Sequence, residues 1–484
     1  MPDLMTVFAL IAVVLMVSAL ASGIVERAPL SFPMIFLGLG VLLGERGFGL
    51  VSVSSHDQGL EAIAILSLSL VLFLDAVRLR FDEMGRDWLA PALILGPGTI
   101  LIIAVVSLAA ALLLGLSLLQ SLIVGVILAS TDPVVLRDVM RDERIPSAVR
   151  RTLSIEAGTN DIVVLPILLV LIALANAEAG SVGEWAVLLA QVFLLGPLAG
   201  FAVGALASIV NKRVDSRFAI GRVYQALYGI GVVLAAFVAG EAVGGDGFLA
   251  AFAAGIAVVV LDTELCDCFL EYGEITAEMS MLLAFLLFGA LLSTLVGTIP
   301  VAPALALAGV TLLVARPLAL GLVLRRAHMS SRARAFIGWF GPRGLASLLF
   351  ALLLVRDGVP QAERLLAIIG VVVIVSVVAH GASVAPLAAA YARAVRQATH
   401  AEERTGSAAG LFGVEADSVP RISPEDLAAL LAGPNPPTVL DVRTRSQYGR
   451  DPGQIPDSVR VAPDKVEEWA RGRSKGETVA AYCT

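Results

Sequence analysis

The sequence predicts an all-α polytopic membrane protein with about thirteen transmembrane helices, followed by a small, partial α/β segment. Three observations lead there. The chain of 484 residues is 58% hydrophobic and only 15% charged, with a mean hydropathy of +0.88, against roughly 45–50% apolar content in soluble domains. Apolar stretches of about 18 residues or more recur between residues 5 and 387, each long enough to cross a hydrocarbon core about 30 Å thick. Lysine and arginine collect in alternate loops between these stretches, as the positive-inside rule requires of a correctly counted set of spans.

The spans are expected at 5–25, 29–45, 60–78, 94–115, 117–138, 152–175, 185–210, 220–241, 246–261, 273–294, 302–325, 334–355 and 363–387. The first has no basic segment ahead of it and no clear cleavage site, and more spans follow, so it reads as a retained helix and not a signal peptide. Lone prolines such as Pro33 and Pro166 need no explanation, because proline is common in membrane helices. Pro133 in "STDPVV" and Pro342 in "FGPRGL" are different: they interrupt the fifth and twelfth spans beside charged or polar residues. With spans 1–6 and 8–13 taken as two halves around span 7, these are the fifth helices of each half. Matched interruptions point to a transporter site built from an inverted repeat.

Placing the N-terminus outside puts Arg27, Arg78, Arg80, Arg86, Arg137, Arg141, Arg144, Arg150, Arg151, Lys212, Arg213, Arg217, Arg222, Arg325, Arg326, Arg332 and Arg334 in inside loops. Only Arg46, Arg356 and Arg364 fall outside, so the C-terminus is expected in the cytoplasm and the protein in the plasma (inner) membrane. The acidic stretch 262–274 is read as an inside loop. Cys266, Cys268 and Cys483 are too few for a disulfide framework, and the C-x-C pair reads as incidental in preference to a metal site. The net charge of −7 says little about partners; no basic patch would suit nucleic acid, so none is expected as a partner, and no cofactor is expected.

The acids inside the apolar spans carry the functional argument. An ionised carboxylate at the bilayer centre costs roughly 2.5–3.5 kcal/mol even on insertion scales, and such acids mark ion or proton pathways. In "ASTDPVV", Pro133 lacks an N–H and disfavours helix at Asp132, so carbonyls near Thr131 and Asp132 are freed to face a cavity. Asp132 either caps the broken helix or meets the ion. Glu156 and Asn160, at i and i+4, share a helix face, with Asp161 about 100° further round. Asp161 with the Thr131 hydroxyl and nearby carbonyls would suit a hard monovalent cation such as Na⁺. Glu156 reads as a structural acid paired with Arg316, the similarly isolated base in "LLVARPLAL".

"STDPV", "EAGTND", "DGFLAAFAAG" at 246–255 and "GPRGLASLLFAL" at 341–352 resemble, in order and spacing, the NhaP-type sodium/proton antiporters of the monovalent cation:proton antiporter family. The resemblance covers about residues 5–387. It implies a homodimer in the lipid bilayer whose protomers each hold two broken helices crossing near the site. It further implies that Asp161 takes cation and proton alternately beside Asn160, with Thr131 and Asp132 at the fifth-helix break and Arg343 at the twelfth. Asp75, in the third span, falls where the family often has an acid near the site; Arg78 and Arg80 would otherwise solvate it at the interface. The chain departs from the family at Ala157, where a small hydroxyl residue often follows the glutamate, which leaves the choice among Na⁺, K⁺ and Li⁺ open. Electrogenic relatives carry two adjacent aspartates where this chain has Asn160 and Asp161, so the resemblance implies electroneutral exchange.

The chain divides into a membrane domain at 1–390, a polar linker at 391–419 and a tail at 420–484. "TVLDV", "RSQYGR", "GQIPDSV" and "TVAAYCT" resemble the first half of a rhodanese-type domain, whose nucleophilic cysteine would be Cys483. The anion-cradling loop that follows that cysteine in the family is absent from this sequence, so the tail is expected to be inactive as given, whether truncated or a remnant. A membrane-anchored sulfurtransferase would need none of the buried acids. A cation channel would need no proton-titrating one.

Overall fold

Backbone N–H and C=O groups in hydrocarbon have to be satisfied within their own segment, and the larger unit of this protein is accordingly built from helices. The computed structural model describes residues 12–14, 16–17, 19–20, 31–78, 89–132, 136, 139–140, 145–176, 181–218, 220–261, 263–327, 329–397, 424–433, 436–442, 454–461, 469–470 and 477–482. The chain divides into two units, Met1–Glu415 and Ala416–Thr484.

In chain order the helices of the first unit are α1 Phe32–Leu43, α2 Gln58–Val77, α3 Leu89–Leu114, α4 Leu118–Ile127 and α5 Ser147–Ala175. They continue with α6 Gly183–Phe218, α7 Arg222–Ala242, α8 Gly247–Leu261 and α9 Thr263–Leu295. The last four are α10 Val301–Ala327, α11 Ser331–Trp339, α12 Leu345–Arg356 and α13 Ala362–Gln397. Among the described residues, eight helices are long and apolar enough to cross a membrane. Some helix starts are fixed by side chains that satisfy the first free N–H groups: Asp57 accepts from Gly59 N ahead of α2, Ser117 and Gln120 form a capping box on α4, and Ser330 accepts from Ala333 N ahead of α11.

Among the described residues, three helices contain a π-turn, at Ile94–Gly98, Gln191–Leu195 and Thr311–Ala315. Each holds or closely precedes a proline, Pro97, Pro197 or Pro317. A proline cannot donate to the carbonyl four residues back, and the helix absorbs the lost bond by widening one turn. α6 packs against α8. Gly200 and Gly204 let the backbones approach so closely that a Cβ at either would overlap the Ala250 or Ala254 backbone, the small-residue packing on which membrane helices rely.

Hydropathy marked the apolar part of each helix and not its full length. α9 begins at Thr263, so most of the acidic 262–274 stretch, with Cys266 and Cys268, lies in the helix and not in a loop. α13 runs on to Gln397, seven residues past the expected domain limit of 390; its end, "ARAVRQ", consists largely of good helix formers that a hydropathy reading discounts. No cluster of three or more His, Cys, Asp or Glu that could hold a metal occurs among the described residues.

The tail unit holds a helix, α14 Pro424–Leu431, and a parallel three-stranded sheet ordered β2-β1-β3, with β1 Thr438–Asp441, β2 Val459–Arg460 and β3 Val479–Tyr482. Central strand β1 buries Val439, Leu440 and Asp441. The sheet is compatible with a partial α/β tail. "RSQYGR" and Cys483 lie outside the described residues, as does Pro133.

Candidate ion-binding site

Both interrupted spans leave helix geometry a few residues ahead of their polar side chains. α4 stops at Ile127, and the chain is irregular through Asp132. The break therefore starts five residues ahead of Pro133, not at it. In the other span, α11 stops at Trp339, and Phe340–Gly344 separate it from α12. Each break exposes carbonyls or N–H groups that hydrocarbon cannot satisfy.

The two breaks satisfy one another. The Asp132 N–H donates to the Pro342 carbonyl at 2.9 Å. Asp132 Oδ2 accepts from the Leu345 N–H at 2.7 Å, which seats an acid at the N-terminal end of α12. Arg343 Nη1 donates to the Ser130 carbonyl at 3.1 Å and to Thr131 Oγ1 at 3.2 Å, which seats a base just beyond the C-terminal end of α4. The Ser347 hydroxyl donates to the Ile127 carbonyl at 3.1 Å. Each break thus supplies the charge that the other's helix dipole favours, and Asp132 and Arg343 are both fully or almost fully buried.

Glycines make this approach possible. A Cβ at Gly344 would overlap the Asp132 carboxylate, and one at Gly341 would overlap the Arg316 guanidinium. Gly344→Ala is therefore expected to push Asp132 off α12 and lower stability by about 1–3 kcal/mol, as overpacking does. Thermal unfolding in detergent checks this; an unchanged midpoint would mean that Asp132 does not hold α12.

Asp161 and Asn160 lie on α5 beside the first break. The Ser130 hydroxyl donates to Asp161 Oδ1 at 2.6 Å. Asn160 Nδ2 donates to the Ala129 carbonyl at 3.2 Å and to Thr131 Oγ1 at 3.3 Å. Asp161 Oδ2 and Asn160 Oδ1 are buried and have no hydrogen-bond partner among the described residues. Two adjacent side chains thus each present an oxygen acceptor, one of them on an ionisable carboxyl group. Orphaned acceptors at this depth are costly unless a proton, a water or a cation meets them. Thr131 Oγ1 already accepts two bonds, from Asn160 and Arg343, so it clamps the break in this conformation and offers no spare lone pair to an ion.

Glu156, one turn before Asn160, points into a separate network. Arg316 Nη1 pairs with Glu156 Oε1, and Nη2 with Oε2 at 2.8 Å, both side chains being fully buried. Nη2 also donates to the Ile337 and Phe340 carbonyls at 3.2 and 3.0 Å. The bidentate pair therefore ties α5 and α10 to the end of α11.

Asp75 of α2 is buried, and a Cβ on Gly158 would lie 3.9 Å from its Oδ1. Gly158 stands three residues before Asp161, so Asp75 sits against the α5 face that carries Asp161.

Several participants were missed from the sequence. Ser130 holds Asp161. His380 of α13 lies with Nε2 2.9 Å from the Trp339 carbonyl and Nδ1 2.8 Å from the Ser376 carbonyl, while the Arg343 N–H donates to Ser376 Oγ at 2.6 Å. His380 is a polar residue in an apolar span, the same signal that marked the acids, and a search for carboxylates alone passes over it.

Residues 11–390 match the transmembrane sodium/hydrogen exchanger family. A protein of Alkalimonas amylolytica named K(+)/H(+) antiporter NhaP is 31% identical over 385 residues, which cover 78% of this chain and 65% of that one. A K(+)/H(+) antiporter NhaP2 of Shewanella sp. (strain ANA-3) is 31% identical over 375 residues, covering 76% and 64%. The chain thus spans just under two thirds of the length of these relatives. The solved structure of the sodium proton antiporter MjNhaP1 from Methanocaldococcus jannaschii shares the fold, with a TM-score of 0.66 at 17% identity, covering 81% of this chain and 100% of that one. By the match over residues 11–390, this chain belongs to the sodium/hydrogen exchanger family.

Proposed function

We propose that the protein is a secondary active transporter that exchanges a monovalent cation, Na⁺, K⁺ or Li⁺, for H⁺ by alternating access. The observation that carries this reading is the pair of partnerless buried oxygens, Asp161 Oδ2 and Asn160 Oδ1, set beside two broken helices that brace each other. A carboxylate in that setting is met in turn by a proton and by a small cation, and a fixed neutral neighbour adds one further oxygen without adding charge. Asp132 and Arg343 hold the broken helices together, and the Glu156–Arg316 pair braces the helix that carries Asp161. Because Asn160 is neutral, one proton balances one cation and the exchange is electroneutral.

The named activities of the relatives leave the ion open, since those at 31% identity are called potassium/proton antiporters and the protein of shared fold a sodium/proton antiporter. We place the protein as a homodimer in the plasma (inner) membrane, N-terminus outside and tail in the cytoplasm. The tail is read as a rhodanese-like segment. The experiment is exchange in proteoliposomes loaded with acidic buffer and a pH dye, adding Na⁺, K⁺ or Li⁺ outside. Alkalinisation of the lumen with at least one of them supports the reading; none with all three removes it.

A further inference from the structure

Asp75 faces the Asp161 side of α5, yet among the described residues only one base comes within ion-pair distance of it. Arg78, the residue that caps the end of α2, brings Nη1 to 3.8 Å from Asp75 Oδ1, close enough to attract but too far to hydrogen-bond. The same guanidinium hydrogen-bonds Glu274 Oε1 of α9 through Nη2 at 2.8 Å. Asp75 is 3% exposed, whereas the Arg78 and Glu274 side chains are 39% and 35% exposed. One permanently charged arginine is thus shared between a buried acid facing the site and a partly exposed acid.

We propose that Arg78 and the transported cation compete for Asp75, and that Glu274 sets the outcome by drawing Arg78 away from it. The triad of Asp75, Arg78 and Glu274 then tunes cation affinity from the exposed side of Asp75, whereas Asp161 carries the exchange itself. This rests on the cation/proton exchange proposed at Asp161. Arginine stays protonated at all working pH values, so the competition is between two cations and involves no titration of Arg78. Swinging Arg78 toward Asp75 gives that carboxylate a fixed counter-ion, and a cation arriving there has to displace it. Swinging it toward Glu274 leaves Asp75 free as an anionic way-station beside Asp161.

The test uses the full chain in proteoliposomes and measures KM for Na⁺ and K⁺ by dye-reported exchange. Arg78→Ala is expected to lower KM about two- to fivefold, the scale of one partly exposed ion pair. Glu274→Gln is expected to raise it by a similar factor, because Arg78 then has only Asp75 to pair with. A general field effect of either charge would give the same signs, so the double variant decides. In Arg78→Ala/Glu274→Gln the glutamate change should add nothing, since Glu274 acts only through Arg78. If Glu274→Gln still raises KM in that background, if both single variants move KM the same way, or if neither moves it, the inference is wrong. Arg78→Gln replaces Arg78→Ala if the latter fails to reconstitute. Asp161→Asn in the same assay separates the two levels: residual exchange there overturns the underlying reading, whereas its loss together with an additive double variant overturns only the triad.

Discussion

Replacing Asp161 with Asn is expected to abolish exchange while the protein still folds and inserts. The substitution nearly keeps the shape, and the Ser130 hydroxyl that donates to Oδ1 at 2.6 Å can donate equally to an amide oxygen. It also removes a buried titratable group, which in hydrocarbon relieves a cost and does not create one. What it takes away is the only group in the pair with Asn160 that can change charge, and with it the alternation between proton and cation. Coupled flux in proteoliposomes should fall below about a tenth of wild type at every pH, the size of effect expected when an indispensable group is lost and not merely adjusted. A variant that reconstitutes normally and still couples cation movement to protons would remove Asp161 from the central role.

The largest expected effect on stability lies at the Glu156–Arg316 pair. Glu156→Gln leaves the Arg316 guanidinium buried without its counter-ion, and Arg316→Glu sets two acids together in the same place. Breaking one partner of a buried pair costs on the order of 3–5 kcal/mol. Arg316→Glu should be the worse of the two, because it also removes the donors to the Ile337 and Phe340 carbonyls at the end of α11. The double swap Glu156→Arg with Arg316→Glu restores the charge pair but not those two bonds, so recovery should be partial. Thermal unfolding in detergent measures all three variants. A double variant no more stable than Arg316→Glu alone would show that pairing is not what the two residues contribute.

The pieces of this site were readable from the sequence to the extent that each broke a rule locally. Asp132, Glu156, Asp161 and Arg316 are charges in apolar spans, and Pro342 is a proline beside a charge in the second interrupted span. The spans themselves were readable because hydrocarbon demands long apolar runs. What was not readable is how the breaks close on each other. α4 ends at Ile127, ahead of its proline, because the partners that satisfy its released carbonyls come from Arg343 and Ser347, more than 200 residues away. Nor does a local pattern reveal that Asp132 serves α12, or that Gly344 is needed for its approach. Ser130 and Ser376 escaped notice because serine in a membrane helix is ordinary. The polar ends of α9 and α13 were placed in loops because membrane hydropathy says nothing about where a helix stops outside the bilayer.

The most direct test of a site shared by cation and proton is the KM for Na⁺ or K⁺ across several pH units in liposomes, with and without an imposed membrane potential. If Asp161 serves both ions, a proton there excludes the cation, so lowering the pH below the site's titration point should raise KM by up to about tenfold per pH unit, the limit for one competing proton. At alkaline pH the return step lacks protons and the maximal rate should fall, which makes activity bell-shaped in pH. With Asn160 neutral, an imposed potential at matched gradients should neither drive nor slow the exchange. A KM that does not change with pH would contradict the shared site, and exchange driven by the potential would contradict one-for-one stoichiometry.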